Sequence, residues 1–242
     1  MSGDTQYSFS FEGASKPQSQ LSAEDSFFGY IKTVYDDQDE LLGAVRHLHF
    51  PEGFDADLTY GNGQFWRKQD RPRYCFDIEP MEDFVKSASS TDLPLQPESL
   101  GSAVFDPPFL TYIKSGRGHS SIMAERFSGY WSYKELHDHY TLTLRECHRV
   151  LKPKGRVLFK CQDIIHNHKH HSTHSNVICW AADEGFSVVD IFILTAAHRM
   201  PTKAACHGVQ RQRHARNFHS YFIVFEKITN NPKQEGNKWI RR

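Results

Sequence analysis

The sequence predicts an α/β fold with a single Rossmann-like, doubly wound and mostly parallel sheet that carries an antiparallel strand at one edge. Short apolar runs alternate with amphipathic stretches, which is typical of parallel strand–helix–strand units. The last two apolar runs have no helical stretch between them, which favours antiparallel neighbours. The chain has 242 residues, enough for one full domain with its own core.

Residues 28–50 are predicted to contain a helix that leads into the sheet. Apolar residues recur there at helical spacing, and acidic residues precede Arg46 and His47, as the helix dipole favours. The apolar positions are Leu41, Leu42, Val45 and Leu48.

Six strands are expected to follow, within 53–63, 73–80, 102–109, 156–163, 187–194 and 219–227. A helix within 132–155 is predicted to stop at Pro153 and Gly155. A shorter helix within 175–186 is closed by Gly185.

Both ends of the chain are polar. Residues 1–24 and 229–242 have too few aliphatic side chains to stay ordered alone, so we expect two tails, the first disordered, around a domain at 25–228. The sequence has neither a signal-peptide pattern nor an apolar run long enough to cross a bilayer. We therefore expect a soluble, cytoplasmic protein with no membrane partner.

Composition excludes several classes of function. Basic and acidic residues balance at 29 each, so attraction to a polyanion has to come from local clusters. The five cysteines are scattered without any C-x-x-C spacing. This pattern argues against a disulfide framework or a zinc ribbon and fits a reducing compartment.

Two predicted strands end in residues suited to a nucleoside ligand. The first ends in a turn with Gly61 and Gly63, where backbone can approach a ligand closely. The second ends in Asp77, a carboxylate placed to accept hydrogen bonds from ribose hydroxyls. Each feature alone also fits an ordinary turn, and the pair carries more weight than either part.

The third strand ends in Asp106-Pro107-Pro108-Phe109. The prolines remove two N–H donors and hold the chain extended, which leaves carbonyls to accept bonds from outside. An aromatic amine can stack on Phe109 while it donates to Asp106 and to the Pro107 carbonyl, and these bonds make its nitrogen more nucleophilic. A plain strand-ending turn is the alternative.

These features, taken in order, resemble the S-adenosylmethionine-dependent methyltransferases that modify exocyclic amines of nucleic-acid bases. The segment LRECHRVLKPKGRVLFK is similar to the helix-Pro-Gly-strand part of that family, and RQRHARNFHSYFIVFEK to the ending of compact bacterial and phage DNA methyltransferases. The D-P-P-F motif is the specific part. The Tyr-Gly-Asn-Gly turn at 60–63 departs from the family's commoner Phe-x-Gly-x-Gly.

The resemblance implies a class I methyltransferase-like fold, S-adenosyl-L-methionine as cofactor, and in-line methyl transfer to a DNA base, adenine N6 first. It implies that Asp57, Gly61 and Gly63 contact the methionine part of the cofactor, that Asp77 holds the ribose, and that Asp92 lies at the adenine. Thr59 and Tyr60 also belong to the implied cofactor site. The implied catalytic pocket consists of Asp106, Pro107, Pro108 and Phe109. A paired amine must be flipped out of the duplex or already single-stranded.

Two segments are predicted to hold the polymer. One follows Phe109 and places basic residues among glycines and serines, and the other, 196–217, contains no acidic residue. Contact with phosphates is favoured over solvated loops. The basic residues are Lys114, Arg117, Arg126, Arg199, Lys203, Arg211, Arg213 and Arg216.

The histidine run from His166 to His174 invites a metal hypothesis, which we do not favour. No carboxylate or cysteine is patterned with it, and the transfer requires no metal, so a polar loop is preferred. Cys161 and Asp163 either line the cofactor pocket or merely end the fourth strand.

Three alternatives stay open: a cytosine-N4 DNA methyltransferase, an RNA base methyltransferase, and a non-catalytic nucleic-acid-binding protein. Asp at the head of the motif favours adenine, since the family's cytosine enzymes more often begin with Ser. No segment is large enough for a separate target-recognition domain, so the basic loops or a partner protein would read the sequence.

Overall fold

The structure, a computed structural model, describes residues 30–109, 132–196, 214–215 and 217–229. The elements below belong to the compact unit Thr33–Arg242. Within the described ranges, no helix combines the length and the apolar character that a membrane crossing requires.

Ten strands are present in these ranges, eight of them in one sheet. The sheet strands are β1 Val34–Tyr35, β2 Ala56–Asp57, β3 Tyr74–Asp77, β4 Lys86–Ser87, β5 Leu100–Phe105, β6 Leu151–Cys161, β9 Phe186–Thr195 and β10 His219–Lys227. A separate hairpin is formed by β7 Ile164–His166 and β8 Lys169–His171.

Three α-helices are described: α1 Gln38–His49, α2 Tyr133–Val150 and α3 Thr173–Asp183. Two of them begin at residues whose side chains satisfy unpaired backbone donors. Asp37 accepts from the N–H groups of Asp39 and Glu40 at 2.8 and 3.0 Å. Ser132 accepts from the N–H of Glu135 at 3.1 Å.

The sheet has the spatial order β1-β9-β10-β6-β5-β2-β3-β4. All pairs are parallel except those that β10 makes with β6 and β9. From β2 the chain proceeds outward through β3 and β4, then returns to the other side of β2 as β5 and continues away as β6. The sheet is therefore doubly wound with its switch point between β2 and β5, and the predicted fold class is confirmed.

The antiparallel strand differs from the prediction in position. The expected antiparallel pairing of the last two strands is present, but β10 lies between β9 and β6 and not at the edge itself. Its residues explain this placement, because Phe222, Ile223, Val224 and Phe225 are all fully buried. A strand that is apolar on both faces has to lie inside a sheet.

The core has two layers, one on each face of the sheet. Helices α2 and α3 contribute Leu144 and Val177 to the main cluster, which includes Phe105 and Phe159 of the sheet. Helix α1 lies on the other face, where the His49 ring packs edge-on against Phe192 at 6.0 Å. The ends of the parallel strands thus lie between two helical layers.

Helix α1 contains all four predicted apolar positions, buries Leu41, Leu42 and Val45, and leaves Leu48 exposed. The predicted end of the next helix is wrong. Helix α2 ends at Val150, before Pro153, and β6 begins directly at Leu151, so proline and glycine at 153 and 155 lie within a strand.

An ion pair on α2 between the buried Glu146 and the partly exposed Arg149 fixes the chain that follows β4. Glu146 accepts from the Leu93 N–H at 2.7 Å and from Arg149 Nε at 2.8 Å, and Arg149 donates in turn to the carbonyls of Leu93 and Leu95. Burial raises the pKa of Glu146, but the bonds from Arg149 and Leu93 outweigh burial, so the pKa lies below its usual value.

Replacing Glu146 with Gln is expected to lower the free energy of unfolding by about 1.5 to 3 kcal/mol at neutral pH, because it leaves Arg149 without its carboxylate. A carboxyl whose pKa falls on folding stabilises the protein above its unfolded-state pKa, and this contribution disappears as pH drops through the folded-state pKa. Urea unfolding of Glu146→Gln should therefore approach the wild-type curve in acid. The exposed Glu52→Gln variant is the control and should match wild type throughout.

Candidate active site

Three carboxylates meet at the edge where the parallel strands end. Asp57 and Asp77 are the last residues of β2 and β3, and Asp106 directly follows β5. Parallel pairing of β2 with both neighbours puts all three at the same edge. This is the crevice beside the switch point, where open α/β sheets bind ligands.

Asp57 is buried, with 1% of its surface exposed. Its Oδ1 accepts from the Thr59 N–H at 2.8 Å, and its Oδ2 accepts from the Trp66 indole N–H at 2.5 Å. Burial raises its pKa to about 7, with the charges of Asp106 and Asp77 acting in the same direction and the two donors opposing them. Asp57 as placed holds the turn from inside, whereas the resemblance implied direct contact with the cofactor.

The glycine turn adopts the left-handed backbone that its sequence predicts. Gly61 and Gly63 have φ of +57° and +73°. A Cβ at Gly63 would lie 3.0 Å from the Tyr60 hydroxyl, so the buried tyrosine packs under the turn. A Cβ at Gly61 would meet no atom within 4 Å, so this backbone borders open space that a ligand can approach.

Asp77 ties this turn to the next strand end. Its Oδ2 accepts from the Gly61 N–H at 2.7 Å, and its Oδ1 accepts from the Glu79 N–H at 2.9 Å. The side chain is only partly buried. Each carboxylate oxygen has a second lone pair, so Asp77 retains capacity for two further donors.

Asp106 is fixed from two sides. Its N–H donates to the Thr59 hydroxyl at 2.9 Å, which joins the ends of β5 and β2. Its Oδ2 accepts from Lys160 Nζ at 3.0 Å. Among the described residues, Oδ1 has no hydrogen-bond partner.

The rest of the D-P-P-F motif differs in part from prediction. The Tyr140 hydroxyl lies 3.5 Å from the Pro108 carbonyl, so that carbonyl is contacted from within the protein. No donor among the described residues reaches the Pro107 carbonyl. The Phe109 ring is partly exposed beside Lys160.

Lys160 was missed by the sequence reasoning. Register pairs Phe105 with Phe159, so the next residues, Asp106 and Lys160, are neighbours across two strands. A cation inside the apolar run RVLFKC, next to a strand that ends in an acid, was the signal.

Asp92 is not brought to the carboxylates by any contact among the described residues. It is exposed, in a turn closed by its N–H donating to the Ser89 carbonyl at 3.0 Å. The neighbouring Ser90 hydroxyl anchors this turn on α2, 2.8 Å from His139 Nε2 and 2.9 Å from the Thr143 hydroxyl. That Asp92 lies close to the adenine of a cofactor stays a prediction.

The residues after β6 support local structure. Cys161 is fully buried, and Asp163 accepts from both the N–H and Nδ1 of His174 at 3.1 and 2.7 Å at the start of α3. The histidine run forms the hairpin β7–β8 where a loop was expected. Within the described ranges, no group of three or more His, Cys, Asp or Glu residues is arranged to hold a metal.

The eight basic residues predicted to contact phosphate lie outside the described residues. For the second of the two basic segments, 196–218, the strands on either side are described. Because β9 is parallel to β1 and β10 runs antiparallel to β9, Thr195 and His219 pair with each other at one end of the two strands. The same end of β10 pairs with the carboxyl end of β6, where Tyr221 lies opposite Cys161. Thr195 and His219, the strand residues that flank segment 196–218, therefore lie at the edge that carries Asp106.

The sequence matches no protein-family model and no curated protein. Among solved structures, it is similar to a candidate DNA modification methylase from Thermus thermophilus complexed with S-adenosyl-L-methionine. The two are 19% identical with a TM-score of 0.38, and the match covers 57% of this chain and 51% of that one. This chain thus spans about half the length of that structure.

A second similar structure is the 1,6-didemethyltoxoflavin-N1-methyltransferase of Burkholderia thailandensis with bound S-adenosylhomocysteine. It is 14% identical with a TM-score of 0.47, over 80% of this chain and 79% of that one. At these levels of identity the likeness concerns the α/β fold alone.

The buried Asp57 should give stability a characteristic pH dependence. Because its pKa is raised to about 7 on folding, the stability it contributes is complete below its unfolded-state pKa and is lost as pH rises to about 7. The Asn side chain does not titrate. Wild type should therefore lose stability relative to Asp57→Asn, by about 1.4 kcal/mol for each unit between the two pKa values.

Urea unfolding of both proteins from about pH 4 to pH 8 measures this difference. Parallel stability curves would show that Asp57 titrates as an ordinary aspartate. Asp70→Asn, at an exposed side chain, is the matched control and should give parallel curves.

Proposed function

We propose that this protein is an S-adenosylmethionine-dependent methyltransferase that modifies an exocyclic amine of a DNA base, adenine N6 in the first place. The observation that carries the proposal is the orientation of Asp106. Thr59 and Lys160 hold this carboxylate at the edge where the left-handed glycine turn and Asp77 also lie. An acceptor for an amine and a cradle for a nucleoside thus share one crevice.

The residues of the crevice fit the proposed cofactor. Gly61 presents backbone to open space, and Asp77 has lone pairs left for two ribose hydroxyls. Asp57 supports the turn from below through Thr59 and Trp66. When bound, S-adenosylmethionine supplies an electrophilic methyl group on a sulfonium that departs without help from an acid.

The amine pocket supplies acceptors and a ring. Asp106 Oδ1 and the Pro107 carbonyl are each able to accept one N–H of an amino group, and the Phe109 ring offers a stacking surface for a base taken out of its duplex. Accepting these bonds turns the nitrogen lone pair out of conjugation. The negative charge of Asp106 then stabilises positive charge that develops on the nitrogen.

The topology supports a polymer as substrate. Segment 196–218 begins and ends at the edge of Asp106, and its residues Arg211, Arg213 and Arg216 belong to a stretch without acids. The segment 110–131 likewise begins directly after Phe109. Basic residues in segments that adjoin this edge along the chain suit contact with a phosphate backbone, with or without a specificity partner protein.

Mass spectrometry of nucleosides from cells that express the protein tests the proposal. We expect N6-methyladenine in DNA with wild type and none with Asp106→Asn. Asp106→Asn should bind S-adenosylmethionine about as wild type does in calorimetry, while methyl transfer falls by about 10²-fold or more. Asp77→Asn should show the reverse order of effects, with cofactor affinity reduced about tenfold or more.

Other outcomes reassign the function in defined ways. N4-methylcytosine in DNA, or a methylated base in RNA alone, would keep the chemistry and change the substrate. Wild type that fails to bind S-adenosylmethionine would overturn the enzyme and leave a nucleic-acid-binding protein.

Replacing Arg211, Arg213 and Arg216 together by Gln should weaken DNA binding and flatten its dependence on salt. The slope of log affinity against log salt is expected to fall by about 0.9 for each phosphate that the variant no longer neutralises. Fluorescence anisotropy of a labelled duplex over a salt series gives this slope. Lys152→Gln/Lys154→Gln, exposed near the opposite end of β6, is the control, and equal slopes in all proteins would place the binding face elsewhere.

A further inference from the structure

Lys160 is an almost buried cation in the crevice, with 12% of its side chain exposed. Its Nζ lies 5.4, 5.9 and 5.1 Å from the centres of three aromatic rings, those of Phe65, Phe109 and Phe222. It also donates to Gln38 Oε1 at 3.4 Å. A lysine with no task would place its ammonium in water, since burial of the charge is costly without partners.

The described polar and charged groups near Asp106 lie on β6, on α1, and at or just after the end of β2. Lys160 on β6 is the one cation paired with it among the described residues, and Asp57 at the end of β2 is the acid that faces it. Thr59 adds a neutral hydroxyl, and Gln38 on α1 a neutral amide next to Lys160. Removal of the ammonium would leave Asp106 facing only neutral groups and another carboxyl.

The ion pair between Lys160 and Asp106 involves one of the two carboxylate oxygens. Lys160 holds Oδ2 of Asp106, and Thr59 holds the backbone N–H of the same residue. With its backbone and one oxygen fixed, the carboxylate has one remaining direction for Oδ1. Cation–π contacts with the rings of Phe65 and Phe222 help to hold the ammonium in turn.

We infer that Lys160 is a positioning residue for the transfer step: it holds Oδ2 of Asp106 so that Oδ1 is presented to the amine. This inference rests on the proposed function. Lys160 touches neither the amine nor the methyl group, and it acts through Asp106 alone.

The inference also assigns the fate of the proton. A bond forms between the amine nitrogen and the methyl carbon, the carbon–sulfur bond breaks with its electron pair left on sulfur, and the nitrogen then loses one proton. Asp106 Oδ1 receives that proton and passes it to water.

The test uses the full chain and two substitutions of Lys160. Lys160→Met removes the charge but keeps an unbranched stem that packs well among rings, and Lys160→Arg retains the charge. Carbon-13 NMR of the Asp106 carboxyl, assigned with Asp106→Asn, measures the pKa without any substrate. We expect the carboxyl titration curve to move to higher pH in Lys160→Met, which lacks the opposite charge, and to overlay the wild-type curve in Lys160→Arg.

Single-turnover transfer from labelled S-adenosylmethionine to unmethylated DNA provides the kinetic arm. Lys160→Met should slow transfer by about tenfold or more with cofactor affinity unchanged, and its acidic limb should move to higher pH. In the Asp106→Asn background, Lys160→Met should have no further effect, because Lys160 acts only through the carboxylate. The exposed Lys152→Met, also on β6, should match wild type.

The outcomes separate the two proposals. If wild type methylates nothing, the proposed function fails, while the NMR titration still decides whether Lys160 controls Asp106. An unchanged Asp106 pKa in a folded Lys160→Met protein overturns the inference, as does a full additional loss of rate in the double variant. If Lys160→Met fails to fold, the test depends on Lys160→Arg alone. An Asp106 titration curve far from that of wild type in this charge-retaining variant would overturn the inference.

Discussion

Charge balance at the carboxyl edge of the sheet is the constraint on which the rest of this structure depends. Parallel pairing of β2 with its neighbours brings Asp57, Asp77 and Asp106 together, and the charges of Asp106 and Asp77 add to burial in raising the pKa of Asp57. Each carboxylate has its own donors. Asp57 accepts from an indole N–H and a backbone N–H, Asp77 accepts from two backbone N–H groups, and Asp106 accepts from the ammonium of Lys160. Each carboxylate is thereby held in one orientation by the protein alone, which is the condition for a preorganised site.

What the sequence predicts well is local. An acid at the end of an apolar run is visible within a few residues, which is why the strand ends at Asp77 and Asp106 are predicted correctly. The first strand instead ends at Asp57, before the glycine turn. The α/β alternation is equally local, since it depends only on the period of apolar residues along each segment. The helical layers and the switch point between β2 and β5 follow from that alternation.

What the sequence predicts poorly depends on register and on partners far along the chain. The contact of Lys160 with Asp106 depends on the register of β6 against β5, which pairs the residues just before them. The contact of Trp66 with Asp57 depends on the indole turning back toward the strand end. The inner position of β10 depends on burial of both its faces, a signal that a run of apolar residues shares with buried helices. The early end of α2 has the same origin, because pairing of Leu151 with Leu100 competes with another helical turn.

The inner position of β10 has a wider consequence. Since β9 and β10 form a closed hairpin within the sheet, the residues between Thr195 and His219 are attached at two adjacent points of a rigid frame. The described strand pairs of β9 and β10 all involve residues on either side of this stretch, so exchanges within it remove none of those pairs. Chain that connects fixed strand ends generally tolerates sequence change better than the strands themselves.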